Sequence, residues 1–70
     1  MNESSKATKK EIVTAFRTRE ILAAARKLLE RRGPEAMTME EIAAAAGVAK
    51  GTVYLYFQSK DHLIQALIAR

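Results

Sequence analysis

A group of side chains that could bind an anion or a nucleobase lies close together in the second half of the chain. Thr38, Lys50 and Thr52 carry hydrogen-bond donors, and Tyr54 and Tyr56 place two phenol hydroxyls two residues apart. Such side chains donate to phosphate oxygens, and lysine and threonine also bind base edges. This set therefore favours non-covalent recognition of a phosphate-bearing polymer over covalent chemistry.

Groups suited to catalysis or to metal binding are scarce. The chain has no cysteine and a single histidine, His62, which we expect to be an exposed helical residue without a role as base or ligand. Seventy residues form one domain at most and enclose little volume for a substrate pocket. We therefore expect a binding module that has no enzyme activity, no cofactor and no metal.

The charge is distributed unevenly. Residues 1–32 contain nine Lys and Arg against four Glu, whereas residues 33–70 contain three basic residues against four acidic ones. A basic half indicates an anionic partner, either nucleic acid or an acidic membrane surface. The N-terminus lacks the apolar core of a signal peptide, and no apolar run approaches the roughly 20 residues of a membrane span. We expect a cytoplasmic protein.

The first predicted helix is the element that has to position the second half of the chain. Residues 1–10 are interpreted as a flexible basic arm, and the spacing of Thr8 and Glu11 is that of a capping box, which allows a helix from about Lys9. A break in the apolar rhythm leaves a later start, near Arg17, open. Gly33 followed by proline predicts the end of this helix, with the glycine in the left-handed conformation.

Three shorter helices follow. Thr38 and Glu41 form a second capping box, and the helix that they open ends at Gly47. A third helix is predicted from about Lys50 to Tyr56. Ser59 caps a fourth helix, whose apolar face we expect to continue past the end of the chain. Strand-like alternation is absent, so the predicted fold is all-α with four helices.

Residues 38–57 have the pattern of a helix-turn-helix. Ala43 is small enough for two helices to cross closely, Gly47 can adopt the positive φ of a sharp turn, and Val48 is apolar within that turn. Val53 then points back to the core. The alternative is an ordinary αα-hairpin in a small bundle, but the basic charge of the chain favours DNA binding.

From about Arg17 to Leu67 the chain resembles the N-terminal domain of the tetracycline-repressor (TetR) family of bacterial transcriptional regulators. The resemblance implies a three-helix DNA-binding unit over residues 11–70, with the third helix in the major groove. It also implies a fourth helix that leads to a dimerisation and effector-binding domain absent from this chain. The matching residues include Ile21, Leu22, Ala24, Ala25, Leu28, Leu29, Gly33, Thr38, Ile42, Ala43, Ala46, Gly47, Val48, Lys50, Gly51, Thr52, Val53, Tyr54, Tyr56, Phe57, Ser59, Lys60 and Leu63.

The resemblance also implies a set of DNA-contacting residues. Lysines and hydroxyls of the set would bind phosphates or base edges, and Gly51 would let the backbone approach DNA closely. Leu55 is apolar at a position that varies within the family, and we expect it to face DNA. The full set is Thr38, Met39, Ala49, Lys50, Gly51, Thr52, Tyr54, Leu55, Tyr56 and Lys60.

Two residues depart from the family pattern. Ala49 stands where Ser or Thr is usual, which removes an N-cap worth about 1 kcal/mol and a hydroxyl for phosphate. Met39 offers no polar side chain, and the neighbouring Glu40 and Glu41 would repel DNA. We expect the basic arm to compensate, with Lys6, Lys9 and Lys10 on the DNA backbone or in an adjacent minor groove.

The expected function is that of a ligand-responsive repressor that binds a near-palindromic operator as a homodimer, with a small-molecule effector in the absent domain. Two alternatives come from other classes. The basic, amphipathic first helix could lie on an anionic membrane surface. The apolar face from Leu63 to Ile68 could instead bind another protein. The membrane alternative leaves the turn at Gly47 and the Gly51-Thr52 pair unexplained.

Overall fold

The computed structural model describes residues 8–69. Over this range every regular element is helical: α1 spans Lys9–Arg32, α2 Met39–Ala46, α3 Lys50–Tyr56 and α4 Lys60–Ile68. The predicted all-α fold is therefore confirmed, as are the positions of the three shorter helices. The helices pack around one apolar core, with α1 against both α2 and α4 and with α3 against α2.

The start of α1 corrects one expectation. The Thr8 hydroxyl accepts a hydrogen bond from the Glu11 main-chain N–H (3.1 Å), and the Glu11 carboxylate accepts one from the Thr8 N–H (3.0 Å). Because this capping box satisfies two N–H groups, the helix begins at Lys9 and not near Arg17. Lys9 and Lys10 are therefore helical and do not belong to a flexible arm; Lys6 lies outside the described residues.

The end of α1 is closed by Gly33, whose N–H donates to the Leu29 carbonyl at 2.8 Å. Gly33 has φ 84° and ψ 166°, so it does not adopt the left-handed helical conformation that we expected. This region of positive φ is essentially restricted to glycine. The requirement for glycine at this position is therefore stronger than a left-handed cap would impose.

The turn between α2 and α3 has the expected geometry. Gly47 is left-handed, with φ 76° and ψ 30°. The Val48 N–H donates to the Ala43 carbonyl (3.0 Å), and the Gly47 N–H donates to the Ala44 carbonyl (3.2 Å), which together make a Schellman motif. This motif ends α2 and turns the chain directly into α3.

The core joins all four helices. Ile21, Ile42, Val53 and Leu63 are completely buried, one on each helix, and Met37 in the turn before α2 is buried with them. The inward direction predicted for Val53 is confirmed. No buried polar side-chain atom of residues 8–69 lacks a hydrogen-bond partner. The core is thus purely apolar and leaves the polar groups of α2 and α3 for the surface.

The apolar face of α1 divides near Arg17. Beyond it, Ile21 and Leu22 are buried, but Ile12, Val13 and Phe16 are about half exposed. The break in the apolar rhythm before Ile21 therefore coincides with the edge of the core. In the described part of the chain, the buried residues of α1 all lie within its second half, so the first three turns project past the core. Helical spacing predicts which residues share a face but not whether that face is covered.

Candidate nucleic-acid interface

The outer face of α3 is the surface that the sequence analysis assigned to DNA. Val53 is 0% exposed and Phe57 5%, whereas Leu55 is 79% exposed and Tyr54 45%. These values follow from the helical repeat, since Val53 and Phe57 are four residues apart on one side of the helix. The packing of Val53 and Phe57 therefore turns Tyr54 and Leu55 towards solvent.

The N-terminal turn of α3 is exposed and only weakly capped. Ala49 occupies the N-cap with φ −72° and ψ 152°, and no side chain caps the helix. Lys50 and Gly51 are exposed, and Thr52 is half-buried. A Cβ built on Gly51 would meet nothing within 4 Å. The free domain therefore places no steric demand for glycine at position 51.

Lys50 forms an ion pair that the sequence analysis did not anticipate. Its Nζ lies 3.0 Å from Oε2 of Glu40, which is on the first turn of α2. The hydrogen bond to Glu40, followed by the charge of that carboxylate, raises the pKa of Lys50 above its ordinary value. The only cation of the helix-turn-helix is thus paired with an acid of the same motif in the free domain.

The start of α2 presents main-chain and hydroxyl groups. The exposed Thr38 caps the helix, and its hydroxyl accepts a hydrogen bond from the Glu41 N–H at 3.1 Å. The Met39 side chain is 6% exposed and belongs to the core. Met39 can therefore reach DNA only through its main-chain N–H, which is one of the N–H groups that a helix leaves unpaired at its start.

A second ion pair fixes α2 to the end of α1. A guanidinium nitrogen of Arg32 donates to the Glu41 carboxylate, whose other oxygen accepts a long hydrogen bond from the Thr38 N–H (3.3 Å). One carboxylate therefore holds the last turn of α1 and the first turn of α2 together. Glu41 is consequently a structural residue, whereas Glu40 faces the recognition helix.

Two further residues of the expected set lie at the far end of the motif. Tyr56 is half-buried and packs against the core, so its ring is anchored on the domain. Lys60 opens α4 and is half-buried, and it is in no ion pair of the described residues. Tyr56 is the last residue of α3 and Lys60 is the first residue of α4.

His62 has a local role that the sequence analysis missed. It is exposed, as expected, but its Nδ1 accepts a hydrogen bond from the Gln58 main-chain N–H at 3.1 Å. Its ring also meets Phe57 edge-on, with centroids 5.6 Å apart. Ser59 closes the same turn by accepting from the His62 N–H at 3.1 Å. In the sequence, the available signal for this turn was the three-residue spacing of Ser59 and His62, which is the spacing of a side-chain cap.

The expected DNA-contacting residues therefore do not all lie on one surface. Lys50, Gly51, Tyr54 and Leu55 are exposed on α3, while the Met39 side chain is removed to the core. Among residues 8–69, no helix is long and apolar enough to cross a membrane. What this arrangement offers a ligand is a protruding helix with hydroxyl, ammonium and apolar groups.

Comparison with known proteins gives this surface a context. A family model described as bacterial regulatory proteins, tetR family, matches residues 21–67. The HTH-type transcriptional repressor BepR of Brucella suis is 42% identical over 57 residues, which are 80% of this chain and 27% of that protein. The HTH-type transcriptional repressor KstR of Rhodococcus jostii is 44% identical over 54 residues, which are 77% and 26% of the two chains.

A third relative is an uncharacterised HTH-type transcriptional regulator of Haemophilus influenzae, 39% identical over 51 residues, which are 73% of this chain and 27% of that one. No solved structure matches the chain. The chain spans about a quarter of the length of these curated relatives. The matched region contains α2, the turn, α3 and nearly all of α4.

Proposed function

The chain belongs to the tetR family of bacterial regulatory proteins, as a helix-turn-helix DNA-binding domain, and we propose that it reads a near-palindromic operator as half of a homodimer. The observation that supports this proposal is the exposed outer face of α3, held outward by the burial of Val53 and Phe57. A protruding helix of this kind fits the major groove of B-DNA. Two such helices would meet half-sites about 34–36 Å apart.

The residues proposed to bind DNA divide into two groups by chemistry. Thr38, the Met39 main chain, Tyr56 and Lys60 would contact phosphates and set the orientation of the domain. Lys50, Thr52 and Tyr54 would contact phosphates or base edges, and Ala49, Gly51 and Leu55 would approach base edges or sugars. Lys6, Lys9 and Lys10 would add contacts to the backbone.

The whole protein is proposed to be a repressor that acts in the bacterial cytoplasm. Two of the relatives carry the word repressor in their names, and the comparisons describe transcriptional regulators. Dimerisation and the binding of a small-molecule effector would belong to a further domain outside these residues. Repression would follow when the bound dimer blocks access to a promoter.

Fluorescence anisotropy over a salt series tests DNA binding directly. The full-length protein is titrated into a labelled duplex selected from a random pool and into an unselected duplex. We expect a log–log salt slope near −0.9 for each phosphate that is neutralised. Lys60→Ala should weaken binding to both duplexes and reduce the slope by about one. Tyr54→Phe should weaken binding while the fold stays intact.

Lys27→Ala is the matched control, because Lys27 is an exposed cation on α1 outside the helix-turn-helix. It should leave the affinity for both duplexes close to that of the wild-type protein. Failure of the wild-type protein to bind either duplex would overturn the proposed function. Equal effects of Lys60→Ala and Lys27→Ala would overturn only the assignment of Lys60.

A membrane-surface function is the second candidate, because α1 carries an exposed apolar strip of Ile12, Val13 and Phe16 beside the exposed Lys9 and Lys10. Such a helix binds anionic lipid through apolar contact and charge. Co-sedimentation with vesicles that contain phosphatidylserine, compared with neutral vesicles, tests this candidate. The protein-interaction alternative keeps only part of its face, since Leu63 and Leu67 are buried in the domain's own core while Ile68 is 75% exposed.

A further inference from the structure

Glu40 and Lys50 face each other across the helix-turn-helix. The carboxylate lies on the first turn of α2, the ammonium lies on the first turn of α3, and the Nζ–Oε2 distance is 3.0 Å. Both side chains are at least half exposed, so neither is needed to fill the core. The capping box of α2 uses Glu41, so Glu40 is not part of that cap.

The carboxylate of Glu40 accepts a hydrogen bond from the Lys50 ammonium at 3.0 Å, and that ammonium is a group that DNA would also use. The pKa of Glu40 is held below the ordinary value, first by the hydrogen bond from Lys50, next by its own main-chain N–H and then by the charge of Lys50. An ammonium group and a main-chain N–H at a helix start are groups that commonly bind phosphate. In the free domain an internal carboxylate thus takes the place of an external anion.

We propose that Glu40 is an intramolecular competitor of DNA, which holds Lys50 in the free domain and has to release it before Lys50 can bind a phosphate or a base edge. This inference rests on the proposed function, because it concerns the same interface. It makes Glu40 a positioning residue that touches no base and acts through Lys50.

The cost of releasing Lys50 applies to every duplex on which Lys50 leaves Glu40. On any duplex, Lys50 would exchange one anionic partner, Glu40, for another, a phosphate, and the exchange brings little gain. On an operator, Lys50 would also reach base-edge acceptors, which discriminate between sequences. Glu40 would therefore lower affinity for non-specific DNA and for the operator alike, while Lys50 would still discriminate between sequences once it is released.

Glu40→Gln tests the proposal by removing the charge while keeping the shape of the side chain. In the full-length protein we expect affinity for the unselected duplex to rise between about twofold and fivefold at ~0.1 M salt. The salt slope should become more negative by about 0.9, since one more phosphate is neutralised. Affinity for the selected duplex should rise at least as much, because Lys50 has to leave Glu40 there as well.

Glu30→Gln is the matched control, because it removes the same charge from an exposed position on α1. A second comparison places Glu40→Gln in the Lys50→Gln background. If Glu40 acts through Lys50, its substitution should then change non-specific affinity by less than twofold. An equal rise in both backgrounds would mean that Glu40 repels DNA directly, and this result would overturn the proposal.

The pair can also be tested without DNA. Nuclear magnetic resonance titration of the Glu40 carboxyl should give a pKa below the ordinary value in the wild-type protein. In Lys50→Gln this pKa should return towards the ordinary value. An unchanged pKa would overturn the pairing itself. Wild-type protein that binds DNA with a normal salt slope, together with an inert Glu40→Gln, would overturn this inference but leave the proposed function standing.

Discussion

At Gly51, the structural requirements of the free domain differ from those of a DNA complex. It lies within α3, and the space around a built Cβ is empty to 4 Å. Glycine costs a helix up to about 1 kcal/mol relative to alanine. Nothing in the described residues offsets this cost, so the free domain alone does not account for glycine at this position.

Gly51→Ala should therefore stabilise the free chain by up to about 1 kcal/mol, because alanine restricts the unfolded backbone and favours the helix. If α3 approaches DNA through its backbone at position 51, the same substitution should lower affinity about tenfold or more. Chemical denaturation and anisotropy on the same preparation measure both effects. A stabilised variant that binds as tightly as the wild-type protein would contradict the close approach.

For single residues, the sequence predicted whether a side chain is exposed or buried better than it predicted which partner that side chain contacts. The exposure of Leu55 and the burial of Val53 and Phe57 follow from a short helix that packs one side on a core. The pairing of Lys50 with Glu40 does not follow, because these residues are ten positions apart and meet only after α2 and α3 cross. Burial of the Met39 side chain likewise depends on how α2 sits on α1.

The helices themselves were readable because their ends are determined by local chemistry. Thr8 with Glu11 and Thr38 with Glu41 satisfy N–H groups within three residues, and Ser59 does the same at the start of α4. Such caps do not depend on the rest of the fold. The capping box correctly placed the start of α1, but helical spacing could not show that the apolar residues of its first half lie beyond the core.

The division of α1 gives a direct stability prediction. Phe16 is 53% exposed, so Phe16→Ser should change the free energy of unfolding of this chain by about 0.5 kcal/mol or less; the two residues have similar helix propensity. Leu63 is completely buried at the contact of α4 with the core, and Leu63→Ala should cost about 2–5 kcal/mol. Urea denaturation followed by circular dichroism compares them. A large loss from Phe16→Ser would show that the projecting turns of α1 are packed in solution.

For the molecule as a whole, positive charge is concentrated away from the surface that is proposed to read bases. Residues 1–32 hold nine of the twelve basic residues, while the helix-turn-helix offers Lys50, already paired with Glu40. Lys9 and Lys10 also lie at the start of a helix, where positive charge is unfavourable to the helix dipole. Their position costs a little stability and is consistent with a role in attracting DNA.

Lys9→Gln combined with Lys10→Gln should therefore reduce the salt slope of DNA binding by nearly two if both lysines contact phosphates. Substitution is a cleaner test than deletion of residues 1–10, since deletion would also remove the Thr8 cap. Arg26→Gln with Lys27→Gln is the control, because it removes equal charge from exposed positions later on α1. Identical slopes for the two double variants would exclude a particular contact at Lys9 and Lys10.

The Lys50–Glu40 pair has a consequence for how the regulator is distributed inside a cell. A genome offers about 10⁶–10⁹ random sites that compete with one operator. If Glu40 lowers affinity for those sites severalfold, it raises the freely diffusing pool of regulator by a comparable factor without touching a base. Substitutions at position 40 would then shift the regulator between the DNA-bound and the freely diffusing pool, while the sequence that is recognised stays the same.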